Sequence, residues 1–115
     1  MEIKRHRIVK IAVGTMLLAG LGFLSVPLQA DNDAEATYKA KCAMCHGPDG
    51  KGETATGKAM KAGSFAAPEV AKMSDDDLAT VITKGKNKMP GYEKSLKPDQ
   101  IKELVEYIRS LAKKS

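Results

Sequence analysis

The sequence contains no tryptophan, and it has only two phenylalanines and three tyrosines among its 115 residues. Aromatic side chains bury large apolar areas, so their scarcity limits the core that this chain can build from protein alone. With only two cysteines, the chain also cannot form a scaffold stapled by several disulfides. A small domain with so few core residues usually needs a metal, a disulfide or a covalent cofactor for stability, and the chemistry-bearing residues are therefore of first interest.

Clustered positive charge is also lacking in most of the chain. The formal net charge is +5, but residues 1–30 carry four basic groups against one acidic group. Residues 31–115 then hold 15 basic and 13 acidic groups, a balance that disfavours a dedicated nucleic-acid binder. Charged residues make up 29% of the chain and hydrophobic ones 43%, which excludes a disordered or fully membrane-embedded protein.

Only one long apolar run is present, and it covers residues 11–28 behind a basic N-terminus. Small Ala30 follows just before acidic Asp31, which is the layout of a secretory signal peptide. We predict that residues 1–30 are this signal and that residues 31–115 form one domain. At 18 residues the run also reaches the lower limit for a membrane span, so an uncleaved anchor is the alternative. Either interpretation predicts an exported, periplasmic protein.

Helical periodicity dominates the remainder, which predicts an all-α domain. A first helix is predicted over Ala34–Cys45, followed by a Gly-rich loop, and shorter helices over Thr54–Lys61 and Pro68–Lys72. Ser74 and Asp77 have the spacing of a capping box, and they predict a helix that ends at Gly85. The last helix is predicted to begin at Pro98. Its apolar stripe consists of Ile101, Leu104, Val105, Ile108 and Leu111.

The chemistry lies in the sequence Cys42-Ala43-Met44-Cys45-His46. Residues three apart share a helical face, so both thiols could reach one planar group. Two thiols that add to the vinyl groups of a porphyrin, with an imidazole placed beneath its iron, are what attachment of a c-type haem requires. We therefore predict one covalently bound haem c, with Cys42 and Cys45 as the attachment residues and His46 as an iron ligand.

Three other interpretations of the cysteine pair have less support. A thioredoxin-like redox pair would follow a strand in a βαβ pattern, and no such pattern precedes it. A zinc site would need a fourth ligand, although no second cysteine pair exists and the other histidine, His6, lies in the signal. A purely structural thiol pair is uncommon in an exported chain.

A second axial ligand is expected because haem iron has two axial positions. Residues 31–115 contain four methionines. These are Met44, Met60, Met73 and Met89. Met44 lies within the attachment sequence, while Met60 and Met73 have helix-like surroundings and are expected to pack in the core. Met89 lies in an irregular loop before Pro90, which restricts its backbone, and it is the predicted ligand.

These residues together resemble the small monohaem class I cytochromes c. The shared features are the Cys42–His46 motif, the Met89-Pro90 loop and the closing helix that contains Tyr107. The resemblance implies an all-α cytochrome c fold in which the N- and C-terminal helices cross beside the haem, with one or two further short helices. It further implies that His46 is the proximal ligand and Met89 the distal one. Tyr38 is expected near the helix crossing, and Tyr107 is expected to meet the first helix at Ala34.

One departure from the family pattern concerns the partner of His46. Relatives commonly place a proline carbonyl where it accepts a hydrogen bond from the proximal histidine. Where small bacterial relatives often have Ala-Pro-Asp-Leu, this chain has Ala62-Gly63-Ser64-Phe65. The carbonyls of Gly63, Pro48 and Pro68 are the three candidate acceptors.

The predicted ligands indicate a one-electron carrier and not an enzyme, because both axial positions of the iron are filled. The alternatives are a haem subunit of a larger dehydrogenase or oxidase, and a gas sensor or peroxidase in which Met89 dissociates. Lys84, Lys86 and Lys88 surround Met89, and they are expected either to be a solvated surface or to face an acidic patch on a redox partner. We expect a monomer that binds no nucleic acid and contacts the membrane only if the N-terminal segment is retained.

Overall fold

In the part of the chain that the structure describes, α-helices joined by loops make up the fold. The structure is a computed structural model, and it describes residues 29–115 together with Gly20 and Gly22. Its helices are α1 (Gln29–Lys41), α2 (Ala43–His46), α3 (Ala55–Met60), α4 (Pro68–Ala71), α5 (Asp75–Lys84) and α6 (Pro98–Lys113). Within these residues the strand-like pairing is limited to an isolated bridge between Lys86 and Met89. The prediction of an all-α domain is confirmed.

Most of the predicted signal segment, residues 1–30, lies outside the described residues. The predicted cleavage point after Ala30 falls within the first turn of α1, which begins at Gln29. The division at this point therefore stays a prediction. Within the described residues, no helix has the length and apolar character needed to cross a membrane.

Helix α5 begins and ends where its sequence signals predict, and helix α6 begins where predicted. The Ser74 hydroxyl accepts a hydrogen bond from the backbone N–H of Asp77 (3.0 Å), and the Asp77 carboxylate accepts one from the N–H of Ser74 (3.2 Å). This capping box satisfies two backbone donors that a helix start leaves unpaired. At the other end of α5, Gly85 adopts a positive φ of 78°. For α6, Pro98 occupies the first helical position, as predicted.

The core forms where α6 packs against α1 and α5. All five residues of the predicted α6 stripe are buried, and Leu104 is only 1% exposed. Leu78 and Ile82 of α5 are also buried, whereas Val81 is half-buried. Burial of these side chains is the main force that holds the three helices together.

Tyr38 lies fully buried at the contact between α1 and α6. Its ring is tilted against that of Tyr107, with the centroids 5.2 Å apart, and its place near the helix crossing is as expected. The Tyr38 hydroxyl donates a hydrogen bond to the carbonyl oxygen of Gly47 (2.6 Å), and burial raises the pKa of the phenol well above its ordinary value. This side chain therefore connects the helix crossing to the loop that follows α2.

Arg109 joins α6 to the junction between α4 and α5. Its guanidinium donates hydrogen bonds to the carbonyl oxygens of Met73 (2.5 Å) and Val70 (3.4 Å), and it pairs with the carboxylate of Asp75 (3.1 Å). A carbonyl of the short helix α4 and one just beyond its end thus acquire a charged donor. No periodic pattern in the sequence indicates this contact.

Candidate functional site

The Cys42–His46 segment forms a turn of its own, and we call it the cysteine turn. The single helix predicted over Ala34–Cys45 is wrong in this detail, because α1 ends at Lys41 and α2 begins at Ala43. Cys42 lies between them with φ −117° and ψ −37°, and its carbonyl oxygen accepts hydrogen bonds from the N–H groups of Cys45 (3.2 Å) and His46 (3.0 Å). The two cysteines and the histidine remain within one helical turn. All three side chains are half-buried, and both thiols are free.

Helix α3 holds the cysteine turn from one side. The Thr54 hydroxyl donates to the carbonyl oxygen of Met44 (2.7 Å), lies 3.2 Å from that of Cys45, and accepts a hydrogen bond from the N–H of Gly57 (2.9 Å). Gly57 is packed so closely against the Cys45 carbonyl that a Cβ atom there would overlap it. A side chain that caps α3 therefore also fixes the backbone between the two cysteines. The sequence predicted α3 but gave no sign of this second role of Thr54.

Burial favours the uncharged forms of Cys42 and His46. It raises the pKa of the Cys42 thiol to about 11, against a smaller opposite effect of the Lys41 charge. It also lowers the pKa of His46. At neutral pH the Cys42 thiol is thus protonated and the His46 imidazole is neutral, the form in which an imidazole binds metal.

The surroundings of His46 differ from the expectation. Its Nδ1 atom is buried and makes no hydrogen bond with any group in the described part of the chain. None of the three candidate carbonyls, those of Gly63, Pro48 and Pro68, therefore serves as its acceptor in this structure. The imidazole instead stacks on the ring of Phe65, with centroids 4.7 Å apart and planes 28° from parallel.

Met89 ends a tight turn that is tied to the end of α5. The backbone N–H and C=O groups of Lys86 and Met89 pair with each other (2.9 and 3.1 Å), and Asn87 between them has a positive φ of 53°. Asparagine adopts such a conformation more readily than most residues. After the turn, the N–H groups of Tyr92 and Glu93 donate to the carbonyl oxygens of Ile82 and Thr83 in the last turn of α5. The turn thus has a fixed position, and the Met89 side chain is half-buried against the core.

Tyr92 connects the Met89 loop to the cysteine turn. Its hydroxyl donates a hydrogen bond to the carbonyl oxygen of Lys41 (3.0 Å), the residue before Cys42. Burial raises the pKa of Tyr92, and the two nearby cysteine sulfurs contribute in the same direction. Sequence reasoning missed this residue, because its partner lies 51 positions away.

Comparison with known proteins decides the family. Residues 29–108 match the family described as cytochrome C oxidase, cbb3-type, subunit III. A cytochrome c6 from Limnospira maxima is 32% identical over 83 residues, which cover 69% of this chain and 90% of that protein. A cytochrome c6 from Nostoc sp. is 31% identical over 87 residues, or 75% of this chain and 76% of that protein. The chain belongs to the cytochrome c family.

A solved structure supports the same fold for this cytochrome. The KustC0563 c-type cytochrome superposes with a TM-score of 0.63 at 33% sequence identity, covering 69% of this chain and 96% of that one. The cytochrome is thus a small monohaem protein that carries electrons on a covalently bound haem c and exchanges them with redox proteins. Its donor set fits this cofactor, since two free thiols and a neutral imidazole share one turn and a thioether lies on a fixed loop. Among the described residues, no group of three or more His, Cys, Asp or Glu side chains could hold a metal ion unaided, as a zinc site would require.

The other methionines of this cytochrome occupy different environments. Met73 packs against the core, as expected. The expectation that Met60 is a core residue is wrong, because its side chain is 45% exposed at the end of α3. Met44 is 73% exposed, since it points away from the core between the two cysteines.

Proposed function

We propose that Cys42 and Cys45 bind the haem covalently and that His46 and Met89 bind its iron. The observation that carries this assignment is the half-buried cysteine turn, whose two free thiols and neutral imidazole lie within one helical turn. Each thiol would add its S–H bond across one vinyl group of the haem, so that sulfur would bond to one carbon and hydrogen to the other. This addition needs no oxidant and releases no leaving group.

We assign Nε2 of His46 to the iron, because Nδ1 is buried within the protein. Met89 would supply the second ligand to the iron from its rigid turn, which Tyr92 ties to the residue before Cys42. Haem iron bound in this way supplies reversible one-electron chemistry between the ferric and ferrous states. The thioether of Met89 would favour the ferrous state, and ligation by both His46 and Met89 would leave no site for oxygen or another substrate.

The carrier function is favoured over the two alternatives. The family description names an oxidase subunit, but the curated relatives that align with most of this chain are named cytochrome c6. A subunit role would place the same chemistry in a fixed complex. A sensor or peroxidase would need Met89 to leave the iron, whereas the backbone of its turn is hydrogen-bonded on both sides.

We further propose that the protein is an exported monomer that meets its redox partners through a basic face. The basic N-terminal segment and the apolar run behind it support export to the periplasm, with or without cleavage after Ala30. Lys84, Lys86 and Lys88 are all exposed around Met89. The Lys88 ammonium lies 3.5 Å from the carbonyl oxygen of Ala59, which brings the end of α3 beside the same loop. This arrangement suits an acidic patch on a partner.

Denaturing mass spectrometry of protein produced with a cytochrome c maturation system tests the attachment. We expect the mass of the polypeptide plus one haem in the wild type, because thioether bonds survive unfolding. Cys42→Ser and Cys45→Ser should each weaken retention of the haem, and the double variant should lose it on denaturation. Met44→Ser is the matched control, since it changes an exposed residue between the two cysteines. A wild-type mass equal to that of the bare polypeptide would refute the assignment.

A further inference from the structure

The orientation of His46 requires an explanation, because the usual device for fixing it is missing. A histidine that binds a metal generally donates its second ring N–H to an oxygen acceptor, which sets the plane of the ring. Here the buried Nδ1 of His46 has no such acceptor among the described residues.

The conformation of Gly63 accounts for the missing acceptor. Gly63 has a positive φ of 66°, which a proline could not adopt. Its carbonyl oxygen lies directly against Gly52, where a Cβ atom would collide with it. This carbonyl is therefore directed to the loop that follows α2 and not to the imidazole.

Phe65 provides the contact that the hydrogen bond would otherwise supply. Its ring lies 4.7 Å from that of His46 and only 28° from parallel, a stacked arrangement. Rotation of the imidazole about its Cβ–Cγ bond would drive one edge of the ring into the Phe65 ring. The stack therefore restricts the imidazole to a narrow range of planes.

Phe65 is itself held on two sides. Its backbone N–H donates to the carbonyl oxygen of Gly50 (2.9 Å), and its ring, only 9% exposed, meets the ring of Tyr38 edge-on at 6.3 Å. Tyr38 is fully buried between α1 and α6 and is hydrogen-bonded to Gly47. A continuous line of aromatic contacts thus runs from the helix crossing to His46.

We propose that Phe65 is the positioning residue for His46 and that ring stacking, in place of a hydrogen bond to Nδ1, fixes the plane of the imidazole. This inference rests on the proposed assignment of His46 as an iron ligand. The plane of an axial imidazole determines how unpaired electron density is distributed over a ferric haem. Loss of the Phe65 ring should therefore change the magnetic signature of the haem, which a residue with a purely structural role would leave as it is.

The test compares three variants as haem-loaded ferric proteins. Phe65→Leu removes the ring and keeps an apolar side chain, whereas Phe65→Tyr retains a ring. Tyr107→Leu removes an aromatic residue that contacts Tyr38 but is not stacked on His46. We expect Phe65→Leu to change the order or spread of the haem-methyl NMR shifts and the electron paramagnetic resonance g values. Phe65→Tyr and Tyr107→Leu should retain the wild-type pattern. An unchanged pattern in Phe65→Leu, or an equal change in Tyr107→Leu, would overturn the inference.

A measurement on the wild type does not depend on whether the variants fold. In the ferrous protein, a stacked pair at this distance should give nuclear Overhauser contacts between the ring protons of Phe65 and His46. If the His46 ring protons are shifted upfield by the haem but show no contact with Phe65, the inference fails and the ligand assignment stands. If no histidine signal is shifted by the haem, the ligand assignment itself fails.

Discussion

At the scale of single residues, the most informative feature is that the four methionines of residues 31–115 occupy different environments. All four carry the same thioether, so their roles depend on position. Met89 is half-buried on a turn with a fixed backbone, Met73 packs in the core, and Met44 and Met60 are exposed. A thioether that has to meet iron needs both a defined backbone and an apolar setting, and Met89 combines the two.

We predict that Met89→Ala abolishes the weak near-infrared absorption expected of ferric haem with a thioether ligand. The same variant should lower the reduction potential and allow carbon monoxide to bind readily, because one axial position becomes accessible. Absorption spectroscopy and redox titration measure these effects.

Met60→Ala and Met73→Ala serve as controls and should keep the absorption. Met73→Ala should lower the free energy of unfolding by a few kcal/mol at most, about the range of other core truncations. Met60→Ala should lower it less, because the Met60 side chain is exposed. Loss of the absorption in either control, with its survival in Met89→Ala, would contradict the assignment. Rapid binding of carbon monoxide by the wild type would instead favour a sensor or peroxidase.

At the scale of helices, α5 connects the cap at Ser74 with the loop that presents Met89. The helix begins at the capping box, and its last carbonyls accept the N–H groups of Tyr92 and Glu93. Ser74→Ala should lower the free energy of unfolding by about 1 kcal/mol, as for other N-cap replacements, and leave the reduction potential unchanged. Chemical denaturation and redox titration of the same sample test both statements. A large change in potential would show that the cap also controls the position of Met89.

The hydrogen bond that the Asp77 carboxylate accepts in the capping box predicts that the stability of the protein depends on pH. Hydrogen bonds from Ser74 hold the pKa of the Asp77 carboxyl below its ordinary value. A depressed pKa in the folded state stabilises the protein above the ordinary carboxyl pKa, and this contribution disappears as the pH falls through the folded value. Asp77→Asn should therefore be less stable than the wild type at neutral pH, with a difference that vanishes in acid. Asp76→Asn removes the same charge at the same helix end, but Asp76 is not part of the capping box. Its smaller loss of stability therefore measures the effect of charge alone.

The elements that the sequence predicted well are those controlled by local signals. Caps and periodicity were sufficient for α5 and α6, because the residues that form them are neighbours in the chain. The break at Cys42 was not predicted, since neither glycine nor proline marks it. The contacts of Tyr92 with Lys41 and of Arg109 with Asp75 join residues 51 and 34 positions apart, which no local pattern indicates. The partner of His46 depended on the positive φ of Gly63, a conformation that glycine permits but does not require.

At the scale of the whole molecule, charge is divided between the two ends of α5. Asp75, Asp76 and Asp77 occupy its first turn, while Lys84 lies in its last turn and Lys86 and Lys88 follow in the Met89 loop. A helix of ten residues spans about 15 Å, which exceeds the screening length at physiological ionic strength. A partner approaching the Met89 loop therefore meets the basic end with little influence from the acidic one.

We predict that reversing two charges beside Met89 slows electron transfer to an acidic redox protein. At low ionic strength the double variant Lys86→Glu/Lys88→Glu should react more slowly by a factor on the order of ten or more, because favourable steering becomes repulsion. High salt should bring its rate close to that of the wild type. The double variant Lys102→Glu/Lys113→Glu is the control, because it changes the net charge equally at exposed positions on α6, outside the Met89 loop. Its electron-transfer rate should fall much less. Stopped-flow kinetics over a series of salt concentrations measures the rates of all three proteins. Equal decreases in rate in the two double variants would show that total charge, and not the face around Met89, governs the encounter.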